Sequence, residues 1–158
     1  PSRRPKRRGM AESSDSWRKH RLLTAVLVAD FMVFLGFGVA FLVAPEALLS
    51  PLDVELQSAA ARLEVRAMYA GLQLGIAGYI GGAFMGYVGR AHVFALSGLS
   101  LAGLAVIRSV GLLGLSLHPL LVSLAITEML GAGLNALALR AALGSGRGGA
   151  SAEARIRA

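Results

Sequence analysis

Apolar residues gather in four long runs, roughly Leu22–Ala44, Ala67–Val88, Val93–Leu117 and Leu120–Leu143, parted by short polar breaks. Crossing a hydrocarbon core as a helix takes about 20 apolar residues, and each run reaches that length. Lipid offers no partner for backbone N–H and C=O groups, so a lone run must satisfy them within itself, as a helix. The pattern predicts an all-α integral membrane four-helix bundle. Pro45 stops the first run. Beyond it Leu52, Leu56, Ala59, Ala60 and Leu63 recur largely at three and four. That spacing predicts a short amphipathic helix between helices 1 and 2, begun at Pro51 and lying in the interface. An early start of the second span fits it equally, and both readings stay open.

The polar breaks give the runs a direction. The formal net charge is +7, and it is concentrated at the ends. Arg3, Arg4, Lys6, Arg7, Arg8, Arg18, Lys19 and Arg21 precede the first run against Glu12 and Asp15, while Arg140, Arg147, Arg155 and Arg157 close the chain against Glu153. Basic residues collect on the side that is not translocated, so both termini are expected on the cytoplasmic, stromal or matrix side, with Arg90 and His92. Glu46, Asp53 and Glu55 then fall outside, with the tight turn at His118–Pro119.

The expected division is a basic N-terminal tail at 1–20, a transmembrane domain at 21–143 and a flexible basic C-terminal tail at 144–158. Such a chain suits the bacterial inner membrane, or an equivalent energy-transducing organelle membrane, as a multi-pass protein. The basic tails point to anionic lipid rather than nucleic acid, because RRPKRR lies directly ahead of a span. Leu22–Ala44 is too long for the apolar region of a signal peptide, which uses about 7–15 residues. Whether the N-terminus is processed stays open.

Composition narrows the chemistry. Apolar residues make up 55% and charged residues 16% of the chain, with a mean hydropathy of +0.63; soluble domains carry about 25% charged residues. Cysteine is absent, which excludes disulfides, iron–sulfur clusters and thiolate metal sites. His20, His92 and His118 occupy loop or edge positions with no spacing that frames a haem or a metal. There is no phosphate loop and no Ser–His–Asp arrangement on one side. No cofactor is predicted; a bound lipid, quinone or chlorophyll-type pigment stays open.

Ionisable groups inside a span are expensive and need partners. Arg108 and Glu128 fall at similar depth on adjacent antiparallel runs, roughly 12–14 Å from the outer end by helix rise, so they are expected to pair. Glu64 and Arg66, at the outer entry of the second run, extend that polar core. Asp30 and Asn135 form a second layer nearer the inner face. Gln73, Ser97, Ser100 and Thr127 are candidates for hydrogen bonds between helices. Two readings compete for these layers. One is a proton or substrate path; the other is a polar lock that fixes helix register, and the small number of buried acids favours the lock.

The second run also carries Gly71, Gly75, Gly78, Gly82 and Gly86 at helical spacing. Glycines on one face let membrane helices approach closely, so this strip is a helix-packing face. Its partner, in this chain or in another subunit, is left open by the sequence.

The stretches APE at Ala44–Glu46, LEVRAMYAGLQLGIAG at Leu63–Gly78, AVIRSVGLLG at Ala105–Gly114 and ITEML at Ile126–Leu130 resemble a family of small bacterial four-helix membrane proteins of unknown function. The resemblance spans about residues 22–142 and rests on Glu64, Arg66, Tyr69, Gly71, Arg108, Gly111 and Glu128. Ala70 departs from it, where the pattern has a second glycine. In size and helix number the family is similar to DoxX-like membrane proteins, some of which are linked to quinone or thiosulfate redox systems. The resemblance implies the fold and transfers no mechanism.

Small size, missing catalytic constellations and basic tails lead to a non-enzymatic accessory or assembly subunit of a larger membrane complex, respiratory or photosynthetic in kind. The alternative is a small transporter or quinone-linked redox helper that uses Arg108 and Glu128 as its polar site.

Overall fold

The computed structural model describes the backbone of residues 6–113 and 119–156, and side chains within 17–113 and 119–144. The turn expected at His118–Pro119 lies largely outside these residues. All regular structure among the described residues is helical: α1 (Lys6–Val43), α2 (Pro45–Leu49), a 3₁₀ turn (Ser50–Leu52), α3 (Ala59–Val65), a π turn (Arg66–Gly71), α4 (Leu72–Phe84), α5 (Arg90–Leu112) and α6 (Pro119–Ile156).

Three stretches are long and apolar enough to cross a membrane: Trp17–Val43, Arg90–Leu112 and Pro119–Gly144, whose most apolar 18-residue windows have mean hydropathies of 2.5, 1.8 and 1.6. The second apolar run is built differently. Its α-helix proper, α4, has only 13 residues, and it is reached through α3 and the six-residue π turn.

One expectation is corrected here. Pro51 does not begin an amphipathic helix; it sits inside the 3₁₀ turn, which ends where Asp53 takes a left-handed backbone (φ 56°). Residues 54–57 are irregular. Ser58 then starts α3, its Oγ accepting the Ala61 N–H at 3.0 Å. A serine at that position satisfies one of the four N–H groups a helix start leaves open. α3 then runs on through the π turn into α4 as one continuous helical stretch. At the ends of the chain, α1 begins at Lys6 and α6 continues to Ile156. No proline falls between Pro5 and Pro45 or after Pro119, and the glycines after Leu143 weaken a helix without removing its hydrogen bonds.

The chain divides into two compact units, residues 28–89 and residues 1–27 with 90–158. In the first, α1 packs on α4 at Gly38, where a Cβ would come within 2.8 Å of Leu74 Cγ and 3.1 Å of the Leu74 backbone nitrogen. Phe31 meets Phe84 edge-on at 5.7 Å and Phe41 stacks on Tyr69 at 5.0 Å. Moving up α1 therefore means moving back along the second helix, an antiparallel arrangement. Phe34, Ala70, Ala77, Ile80 and Ala83 fill the core between them. At the end of α4, Gly86 (φ 80°) turns the chain out while the Tyr87 N–H donates to the Gly82 carbonyl at 2.9 Å. Only glycine takes that φ without strain.

In the second unit α5 and α6 form an antiparallel hairpin. A Cβ on Gly98 would lie 3.1 Å from Asn135 Cβ, and one on Gly131 would lie 2.8 Å from Leu101 Cδ1. Small residues at such contacts let two helices touch through backbone, where lipid supplies no hydrophobic drive. The buried residues of α6 include Ala125, Glu128, Asn135 and Ala138, while Ile126, Met129, Leu130, Leu134 and Leu137 are exposed. On α6 the polar groups turn inward and the large apolar groups outward, whereas α5 also buries Val93 and Phe94.

Candidate functional site

The clearest polar constellation lies between α5 and α6. Arg108 stands four residues before the end of α5 and Glu128 nine residues after the start of α6. By helix rise that is about 6 Å and about 13 Å from the respective ends. The main chains are thus not level, as a third span reaching Leu117 had implied, and the long arginine side chain covers the difference. Arg108 Nε donates to Glu128 Oε2 at 3.0 Å and to Oε1 at 3.2 Å, and its NH2 group donates to Oε1 at 2.8 Å. The Arg108 side chain is 25% and the Glu128 side chain 10% exposed. A planar guanidinium presenting two nitrogens to one carboxylate is the strong, orientation-specific form of an ion pair. In low dielectric neither charge is tolerable without the other.

Asn135 lies two turns along the same face of α6, fully buried, and its Nδ2 donates to the Gly131 carbonyl at 3.1 Å. Ser97 on α5 is fully buried, whereas Ser100 is partly exposed. Thr127 does not reach across: its Oγ1 donates to the Ser123 carbonyl at 2.8 Å on its own helix. Threonine hydroxyls commonly bond back to the preceding turn, which removes Thr127 from the interhelical candidates.

The remaining candidates belong to the unit at 28–89. Asp30 is buried on α1, on the face that carries Phe34 and Gly38. Glu64 is exposed on α3, Arg66 opens the π turn half-buried, and Gln73 is half-buried on α4. Of the glycine strip, Gly71, Gly75 and Gly78 are exposed and a Cβ on any of them would meet nothing within 4 Å. Gly82 faces Val88, and Gly86 lies beyond the helix in the turn. Close approach within the chain falls instead at Gly38, Gly98 and Gly131.

One pair was not singled out in the sequence. Arg62 Nε lies 2.8 Å from Glu46 Oε1, with both side chains about half exposed (46% and 48%). Glu46 follows Pro45 in the first turn of α2, where the open N–H groups of a helix start favour a carboxylate. A backbone hydrogen bond at Glu46 lowers its pKa, and the Arg62 and Arg66 charges add to this. A carboxylate lowered on folding contributes above its ordinary pKa and loses that contribution as pH falls through the lowered value. Protection of the amides in residues 45–62, taken relative to the intrinsic exchange rate at each pH, is therefore expected to be higher at neutral pH and to fall in acid below the usual carboxylate range. Arg62→Gln should narrow that gap; unchanged protection across the acid range would contradict the coupling. The effect is small, because the pair is exposed.

Two grooves are found in the 28–89 unit. One, about 300 Å³, is lined by Met32, Val33, Gly36, Phe37, Ala40 and Leu48, and the other, about 350 Å³, by Glu46, Ser50, Asp53, Val54, Glu55 and Leu56. Neither contains Arg108 or Glu128. Among the described residues no three His, Asp or Glu side chains stand close enough to hold a metal ion. No family model matches this chain, and neither a curated protein nor a solved structure is similar enough to it to be counted a match.

Proposed function

We propose that this chain is a multi-pass membrane protein that acts, without catalysis of its own, as an accessory or assembly subunit of a larger membrane complex. The observation that carries the reading is how little of its apolar surface the chain covers by itself. The most apolar windows of the three spans are only 22%, 22% and 17% buried. Leu99, Ile107, Val110, Leu130 and Leu137 all point outward, and such a surface calls for lipid or for other membrane subunits. The helical stretch 59–84 is about 39 Å long by helix rise, a length that suits a fourth span, and the basic residues at both ends favour termini on the non-translocated side.

In this reading the Arg108–Glu128 pair is a lock. It holds α5 and α6 in one register, because any slide separates the Arg108 and Glu128 charges and forfeits their mutual hydrogen bonds. Three hydrogen bonds between the partners support a lock more than a transport site, which would have to open. The open strip Gly71–Gly75–Gly78 is the seat for a helix of a companion protein. A respiratory or photosynthetic assembly in a bacterial inner membrane or its organelle equivalent fits such a subunit.

Gentle detergent extraction with native gels and mass spectrometry tests this. The wild-type chain is expected to migrate with companion membrane proteins. Gly75→Leu, whose side chain enters open space, is expected to keep its own unfolding curve and lose those companions. Migration of the wild type as a bare monomer or homo-oligomer would sink the proposal.

A further inference from the structure

The N-terminal end of the first span carries a second feature that the subunit reading does not use. α1 is one helix of 38 residues, about 57 Å long by helix rise and well beyond a hydrocarbon core of about 30 Å. Its apolar run begins at Leu22. Directly before that run, the Arg21 guanidinium lies 4.5 Å from the centre of the Trp17 ring, one helical turn back. Trp17 is 60% exposed, and Arg18 and Arg21 are exposed beside it. Successive helix positions advance about 100°, so Trp17, Arg18 and Arg21 share an arc of about that width. Arg3, Arg4, Lys6, Arg7 and Arg8 precede them, with Glu12 and Asp15 as the intervening acids.

We propose that the Trp17–Arg21 turn of α1 is a seat for the phosphate of an anionic lipid headgroup, with the indole ring held at headgroup level. The parts fit that occupant by chemistry. Tryptophan prefers the level of the headgroups, where its apolar body and polar N–H are both satisfied. Stacking on the ring holds Arg21 extended, so its guanidinium is placed before any anion arrives. Arg18 adds a second cation within reach. Each basic residue near an anionic surface attracts it by about 1 kcal/mol, a factor of about five. Nucleic acid would also find the positive charge, but it has no use for an exposed indole about one helical turn outside the apolar run that begins at Leu22.

The chain supplies its own reporter, because Trp17 is its single tryptophan. The full-length protein is reconstituted into phosphatidylcholine vesicles that contain, at equal mole fraction, either brominated phosphatidylglycerol or brominated phosphatidylcholine with bromine at the same acyl depth. Quenching of Trp17 reports which lipid lies beside it. The expected result is an apparent affinity for phosphatidylglycerol about five-fold or more above that for phosphatidylcholine, shrinking as salt is raised. The double variant Arg18→Gln/Arg21→Gln should remove most of the preference while Trp17 stays quenched by both lipids. Equal quenching by the two lipids in the wild type overturns the proposal, as does a preference that survives unchanged in the double variant. A Trp17 signal that responds to a short DNA duplex and not to phosphatidylglycerol overturns it in favour of nucleic acid.

Discussion

Truncating Glu128 to alanine is expected to cost the folded protein about 3–5 kcal/mol, the range for removing one member of a buried ion pair. The loss is not the value of the attraction itself. Glu128 is buried, and Arg108 gives it three hydrogen bonds; without the carboxylate, a guanidinium remains in the hairpin with that partner gone. Reversible unfolding in mixed micelles, titrated with a denaturing detergent, measures the difference. Replacing both residues at once, Arg108→Met with Glu128→Leu, is expected to recover most of the loss or exceed wild-type stability, since apolar substitutes for a buried pair are often neutral or stabilising. A double variant as unstable as Glu128→Ala would show that the hairpin depends on polar atoms at these positions and not on charge cancellation. Glu128→Gln separates lock from chemistry: weakened folding or assembly fits the lock, whereas intact folding with a lost transport or redox activity would favour the rival reading.

Gly38→Val is expected to destabilise by about 1–3 kcal/mol through overpacking. At this glycine the obstacle includes main chain. A Cβ meets Leu74 Cγ at 2.8 Å and the Leu74 nitrogen at 3.1 Å, so rotating the leucine does not clear the space and α1 must move away from α4. Gly131 is the control. There the close atom is Leu101 Cδ1 at 2.8 Å, with Cγ already at 3.9 Å, and the tip of a leucine can swing aside. Gly131→Ala should therefore cost far less, offset in part by the better helix propensity of alanine. The same unfolding titration ranks the two. Equal stability of Gly38→Val and wild type would mean that α1 and α4 are not held at this distance.

Much of the fold was legible because lipid imposes a simple rule on length and polarity. Three of the four apolar runs coincide with helices long enough to span, and the Arg108–Glu128 pair could be anticipated from its cost. The finer placement was less accessible. Gly71, Gly75 and Gly78 follow one face, and so do Ala70, Ala77 and Ile80; spacing alone does not say which face the chain itself covers. In the structure it covers the alanines. Depth counted from the ends of apolar runs also misled, since α5 stops at Leu112 while apolar sequence continues to Leu117. Glu46 and Arg62 read as ordinary exposed charges sixteen positions apart, and only the fold of residues 45–58 brings them together.

The wide turn at Arg66–Gly71 works as a phase shifter. On an unbroken helix Leu63 would continue the column of Ala70 and Ala77, seven residues apart each time. A π turn holds one residue more than the α turn it replaces and so rotates everything upstream by about 100° relative to α4. Leu63 is accordingly 69% exposed, and Arg62 is swung round to meet Glu46. The reach of that arginine back to α2 is thus set by a single surplus residue, at least four positions away along the backbone.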